Sequence, residues 1–205
     1  MSFKKNKYTI IRHAISKDLA TFIANYFSMQ KQVYDTCRTA KFISPYETLL
    51  GCYEAADQQM PGTYRQYSNI AMETLMLKCQ PEMEKITGLK LYPAYTYARI
   101  YKKGDELKRH KDRFSCEIST TMNLGGDDWP IYLEPSGETG KKGIKVDLKP
   151  GDMLVYSGCE LEHWREKFKG KDCAQVFLHY NNRKTPGSKD NMFDKRPHLG
   201  LPSWF

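Results

Sequence analysis

No stretch of this 205-residue sequence approaches the roughly 18 consecutive apolar residues that a membrane-spanning helix requires, and the mean hydropathy is −0.67. Membrane embedding is therefore not expected. Met1 to Lys7 lacks an apolar core, which argues against a secretory leader. The six cysteines, at 37, 52, 79, 116, 159 and 173, include no Cys-x-x-Cys pair and no dense framework. A structural zinc site and a disulfide scaffold are both disfavoured, and reduced thiols in a cytoplasmic setting are expected. No low-complexity linker or charge block divides the chain, so one domain over 1–205 is expected, with helical support over 1–90, a core over 91–181 and an irregular tail over 182–205. Gly137-Glu138-Thr139-Gly140-Lys141-Lys142 is no phosphate loop, because the first glycine is misplaced and no Ser or Thr follows the lysine; a hairpin turn fits it better.

Basic charge is abundant: the formal net charge is +8 and the pI about 9.1. That balance is compatible with nucleic acid or acidic surfaces, but the lysines are spread along the chain and read better as solvated faces, so a nucleic-acid partner is disfavoured. Tyr8 to Ile11 reads as a short strand. Ser16 is an N-cap for a helix whose apolar stripe runs through Leu19, Phe22, Ile23, Tyr26 and Phe27. Residues 37 to 67, with Pro45, Gly51, Pro61 and Gly62, suggest a long ordered loop over an active-site mouth. A second helix is predicted from Ser68 toward Lys85, with Ile70, Leu75, Met76, Cys79 and Met83 inward and a kink or break at Pro81. After Gly88 the pattern changes to short β-rich runs at 91–101, 115–124, 129–134, 143–148, 152–156 and 172–180. Many short strands behind two helices predict a mainly β sandwich or barrel buttressed on one side. The tail carries Pro186, Gly187, Pro197, Gly200 and Pro202 and is expected to drape Trp204 and Phe205 over the body.

The most informative residues are His110, Asp112 and His163. In an extended strand alternate side chains point the same way, so His110 and Asp112 can converge on one ion while Lys111 faces out. His163, after the Pro-Gly turn and buried strand of Lys149 to Tyr156, is the preferred third ligand. His179, in the apolar run Val176 to Tyr180, is the alternative. Two imidazoles and a carboxylate on one face of an octahedron leave the opposite face open, the arrangement used by non-haem iron(II) oxygenases.

The stretch from Tyr97 to Arg113, a tyrosine strand, a glycine turn and then His-x-Asp, resembles the metal-entry strand of the iron(II)- and 2-oxoglutarate-dependent dioxygenases, in their prolyl 4-hydroxylase-like branch. The likeness extends through His163 to Lys171 and covers roughly residues 91 to 181. It implies a double-stranded β-helix, a cupin-like jelly roll, with His110, Asp112 and His163 holding Fe(II), and 2-oxoglutarate and O2 as cosubstrates. Ascorbate is implied as a reductant. For the far carboxylate of 2-oxoglutarate, Lys171 is the first choice and Lys169 and Arg165 are rivals. The separation of Lys171 from His163 is eight, where nine or ten is the family habit. Tyr101 matches the family tyrosine near the iron, and Thr121 lies in the strand expected to face the cosubstrate. Arg113 and Trp164 flank the ligands and are substrate-contact candidates, with a structural salt bridge and simple packing as their alternatives.

The activity so implied is hydroxylation of an unactivated C–H bond with release of succinate and CO2, and a peptidyl proline in a peptide or protein is the leading substrate. Nucleic acid, a free amino acid or another small molecule are the alternatives, as is a noncatalytic cupin-like metal-binding module. Nucleic-acid repair is disfavoured because Asp172 to Tyr180 lacks the paired arginines that branch would require.

Overall fold

Alternation along the strands decides which side of this molecule is greasy and which is chemical. The computed structural model describes residues 3–55, 57 and 59–205, and all statements below concern these. In chain order the elements are α1 (Phe3–Asn6), β1 (Tyr8–Ile11), α2 (Lys17–Thr39), β2 (Cys52–Tyr53), β3 (Tyr64–Tyr67), α3 (Ile70–Thr87), β4 (Leu91–Lys102), β5 (Leu107–His110), β6 (Ile118–Gly126), β7 (Ile131–Leu133), β8 (Ile144–Val146), β9 (Met153–Ser157), β10 (His163–Arg165) and β11 (Asp172–Asn182). Seven strands form one sheet in the order β1-β9-β6-β11-β4-β3-β2, and four form a second in the order β5-β10-β7-β8. Every strand pairing is antiparallel. The mainly β, two-sheet architecture with helices ahead of it is as the sequence predicts, and the Gly137 to Lys142 segment lies in the hairpin linking β7 to β8.

Ala98 on β4, Met122 and Leu124 on β6, and Val176 and Leu178 on β11 pack against Ile23 and Phe27 of α2 and Met72, Met76 and Met83 of α3. Each of these side chains, fully enclosed, stabilises the fold by roughly 1.5–3 kcal/mol where it is the size of Leu or Met. The opposite face of the same strands carries Arg99, Tyr101, Ser119, Thr121, Gln175 and His179, all buried and nearly all polar. Period two therefore puts the hydrophobic core on one side of the large sheet and a polar interior on the other, toward the small sheet.

Ser16 caps α2 as expected, accepting from the Leu19 amide at 3.2 Å. The apolar stripe differs: Ala20, Ile23, Phe27 and Tyr34 are buried, whereas Phe22 is 69% exposed. The second helix starts at Ile70, two residues later than predicted, since Asn69 is the N-cap and accepts from the Ala71 and Met72 amides. Ile70 correspondingly faces solvent. Pro81 does not interrupt α3, because it and Leu77, whose carbonyl it deprives of a donor, lie on the exposed side of the helix where water can replace the lost bond. Residues 37 to 67 are not one loop: α2 runs to Thr39, and β2 and β3 join the large sheet. No helix is long and apolar enough to cross a membrane.

The tail is held by ions, not by its terminal aromatics. Trp204 and Phe205 are 68% and 62% exposed, while Arg196 is buried against Glu73 at 2.9 Å and donates to the Ala94 carbonyl. Phe193, Asp194 and Lys195 all have positive φ, a left-handed run costing on the order of 1 kcal/mol per residue. What offsets it is Asp194, which receives both arms of the Arg113 guanidinium, the Ser115 hydroxyl and the Tyr67 hydroxyl. Burial alone would raise the Asp194 carboxyl, but these donors, Arg113 first, hold it down to about 2. A depressed carboxyl contributes stability above its unfolded pKa, near 4, and loses it as pH falls through the folded value. The stability difference between wild type and Asp194→Asn is thus expected to be about 2 kcal/mol at neutral pH and to shrink below pH ~4. Urea unfolding at a series of pH values checks this, and a difference that stays constant down to pH ~2 would refute it.

Candidate functional site

His110 ends β5 and His163 begins β10, and the two are directly paired across those strands. Asp112 lies two residues beyond the strand, not inside it. Its amide donates to the Gly158 carbonyl at 2.9 Å, which turns the side chain back toward the histidines. The His110 Nε2 and His163 Nε2 atoms lie 3.6 and 3.5 Å from the same oxygen, Asp112 Oδ1. The three residues thus present donor atoms close enough to share one metal ion.

The ring orientations are fixed from outside. His110 Nδ1 is 2.8 Å from the Lys108 carbonyl and His163 Nδ1 is 3.1 Å from the Leu161 carbonyl. A carbonyl only accepts, so each Nδ1 carries a proton and each Nε2 is the ring atom left facing Asp112, free to bind a metal when the ring is neutral. Burial, with His163 beside it, lowers the His110 pKa and favours the neutral ring a metal needs. For Asp112 burial acts the other way, but the surrounding histidines, His163 first, hold the carboxyl well below its usual range. Ser119 donates to Asp112 Oδ2 at 2.9 Å and lies 3.0 Å from His179 Nδ1. The alternative ligand His179 therefore stands behind Asp112, bridged to it by a hydroxyl, and burial lowers its pKa to about 4. Asp112, Cys116 and His179 also come within ligand distance of one another.

Gly158 is where the backbone must pass close. A Cβ there would collide with Asp112 Oδ2 and the Cys116 carbonyl. Gly158→Ala is expected to push Asp112 aside and weaken divalent-metal binding by roughly 10- to 100-fold, the scale seen when a ligand's outer support is lost. Titration calorimetry with Mn(II) measures it, and an unchanged affinity would remove Gly158 from the site.

These groups open on a cavity of about 660 Å³, whose wall includes Tyr95, Tyr97, Arg99, Tyr101 and Phe177 from the large sheet. Tyr101 is buried and adjoins an enclosed Arg165, and burial raises its hydroxyl pKa. Arg165, on the same face of β10 as His163, is 1% exposed. It donates to the Trp129 carbonyl, to Thr121 Oγ1 at 3.1 Å and to Gln175 Oε1 at 3.3 Å. It makes no ion pair among the described residues, and its Nε has no hydrogen-bond partner there. Burial lowers its pKa, though a guanidinium remains charged at neutral pH. Of the three basic residues weighed from the sequence, only this one is enclosed. Lys171 precedes β11, which begins at Asp172, and is exposed, as is Lys169.

Trp164 faces the other way from its neighbours. It stacks on Tyr132 at 5.5 Å with Arg109 over its ring at 3.5 Å, outside the cavity, because only 163 and 165 share the inward face. Arg113 does reach the cavity wall, but as the partner of Asp194 and over the Tyr95 ring. The sequence reading missed Ser119, Asp194 and Arg99. Ser119 and Arg99 were legible in principle as polar residues at odd positions of strands whose even positions are mostly apolar.

No family model and no curated protein matches the sequence. Solved structures do resemble the fold. A Pseudomonas putida prolyl-4-hydroxylase matches with a TM-score of 0.59 at 15% identity, over 88% of this chain and 95% of that one. A 2OG-Fe(II) oxygenase family oxidoreductase from Burkholderia pseudomallei gives 0.62 at 12% identity, over 89% and 91%. The chain shares their jelly-roll fold. EctD from S. alaskensis, solved with bound Fe, gives 0.61 at 13% identity over 98% and 85%. The two sheets seen here are the two walls of that jelly roll; His110 and His163 lie on the neighbouring strands β5 and β10 of the smaller one, with Asp112 just beyond β5.

Proposed function

We propose that this protein is an iron(II)- and 2-oxoglutarate-dependent oxygenase. The observation that carries the reading is the pair of imidazole Nε2 atoms converging on Asp112 Oδ1 at the mouth of a cavity, in a fold shared with such oxygenases. His110, Asp112 and His163 would hold the metal, a donor set of two imidazoles and one carboxylate that suits ferrous iron. Arg165 would take the far carboxylate of 2-oxoglutarate, with Thr121 and Tyr101 beside it. The fit rests on its orphaned Nε and its lack of a carboxylate partner, since an enclosed cation without an anion is an unstable arrangement that a dicarboxylate relieves. Bound there, ferrous iron with 2-oxoglutarate and O2 supplies oxidation of an unactivated C–H bond, with succinate and CO2 as coproducts.

The chain's own part is positional. The carbonyls of Lys108 and Leu161 hold the imidazole tautomers, Ser119 steadies Asp112, and the aromatic wall of Tyr97 and Phe177 excludes water around a substrate. Hydroxylation of a peptidyl proline is the finer reading, supported by the likeness to the Pseudomonas putida prolyl-4-hydroxylase. Succinate release and a +16 mass product are the measurements, using proline peptides and a panel of small molecules with added Fe(II) and 2-oxoglutarate. Iron-independent or absent 2-oxoglutarate turnover under all of these would overturn the oxygenase reading.

A further inference from the structure

The cavity wall includes an enclosed arginine that the metal and cosubstrate do not need. Arg99 sits on β4 two residues before Tyr101, on the same inward face, and its side chain is only 6% exposed. It is cross-strand partner to Arg65 on β3, and both guanidiniums lie against the Tyr97 ring, at 4.9 and 5.6 Å. Like charges placed opposite one another on a sheet repel, so anions must compensate them. Asp57 does so for Arg99 at 2.6 Å, and Glu54 pairs with Arg65. Arg99 is neutralised but not saturated, because its Nη1 is buried and has no hydrogen-bond partner among the described residues.

We propose that Arg99 is the specificity residue of this site and that its Nη1 receives a carboxylate of the primary substrate. This rests on the oxygenase reading above. A guanidinium only donates, so whatever completes it must be an acceptor, and a carboxylate matches it best. The charge balance selects an anion over a neutral carbonyl. Around the cavity and the proposed cosubstrate position, Arg65, Arg99, Lys111, Arg113 and Arg165 stand with Glu54, Asp57, Asp112 and Asp194, the partner of Arg113, five positive groups against four negative, which leaves one positive charge. A divalent metal and the dianionic cosubstrate cancel each other and leave that excess in place. The remaining walls between Arg99 and the histidines are Tyr95, Tyr97 and Phe177, which suit an apolar body. The substrate class is thus a carboxylate-bearing molecule whose aliphatic or ring portion lies between the carboxylate and the C–H bond to be attacked.

The test uses matched acid and amide pairs: L-proline and L-prolinamide, 3-phenylpropionic acid and its amide, and one proline-containing tripeptide with a free or amidated C-terminus. Binding is read as a shift in melting temperature in the presence of Mn(II) and N-oxalylglycine, which fill the metal and cosubstrate positions. Turnover is read as substrate-stimulated succinate release with Fe(II). The expected result is that acids bind and stimulate at least tenfold better than their amides. Arg99→Gln should abolish that preference while changing the KM for 2-oxoglutarate less than twofold, and Arg99→Lys should retain part of it. Equal response to acids and amides, no response to any acid, or a preference that survives in Arg99→Gln overturns the proposal. A rise in the 2-oxoglutarate KM in Arg99→Gln also overturns it, by assigning Arg99 to the cosubstrate. Substrate-independent 2-oxoglutarate turnover distinguishes these outcomes from failure of the oxygenase reading itself. If Arg99→Gln unfolds, Asp57→Asn supplies the second arm, since it leaves Arg99 in place and is expected to keep the acid preference.

Discussion

Asp112→Ala is expected to abolish iron-dependent 2-oxoglutarate turnover and to weaken divalent-metal binding by more than the roughly 10- to 100-fold that loss of an outer partner costs. Asp112 supplies the only carboxylate in the cluster with His110 and His163, and both imidazoles aim at one of its oxygens. Its removal deletes a ligand and the negative charge that offsets a dication. The fold itself should survive, because the two histidines keep their carbonyl partners and the Asp112 amide keeps Gly158. Mn(II) calorimetry and succinate release measure the two effects separately. Undiminished metal affinity in the variant would take Asp112 out of the metal site and with it the proposed function.

Arg165→Met is expected to act in opposite directions on binding and on stability. Losing a charge-assisted hydrogen bond costs about 1.5–3 kcal/mol, so the KM for 2-oxoglutarate should rise on the order of 10- to 100-fold. The same change removes an enclosed cation that has no ion-pair partner among the described residues, and replaces it with an apolar chain of similar length. Exchanging buried charge for well-packed apolar volume is often neutral or stabilising, so the protein without cosubstrate should melt no lower than wild type. Lys171→Ala and Lys169→Ala, both at exposed positions, should leave the KM within about twofold, as surface changes usually do. A large effect at Lys171 with none at Arg165 would restore the assignment the sequence first suggests.

How legible this protein was depended on how local the deciding interactions are. The β-rich pattern after Gly88 and the Ser16 cap are set by neighbours a few residues apart, so period and propensity revealed them. His110, Asp112 and His163 could be singled out for the same reason: two share one short segment, and the third follows a recognisable turn and strand. The cation proposed for the far carboxylate is not the one the sequence put first. Lys171 came first in the sequence although its separation from His163 is eight, but β11 begins at Asp172 and leaves it exposed, whereas the inward face of β10 sets Arg165 beside Thr121 and Gln175. Trp164, one residue out of phase with the inward face of β10, stacks on Tyr132, in line with the packing alternative given for it.

From the sequence alone came the residue types, the alternation that makes one sheet face apolar and the other polar, and the short His-x-Asp segment, because each is written within a few positions of the chain. Tertiary structure alone decided which distant charges meet: Arg99 with Asp57, Arg113 with Asp194, and Arg165 with no carboxylate among the described residues. Those pairings span from 42 to 81 residues, and electrostatic energy depends on separation through space, which strand register and burial set and sequence separation does not.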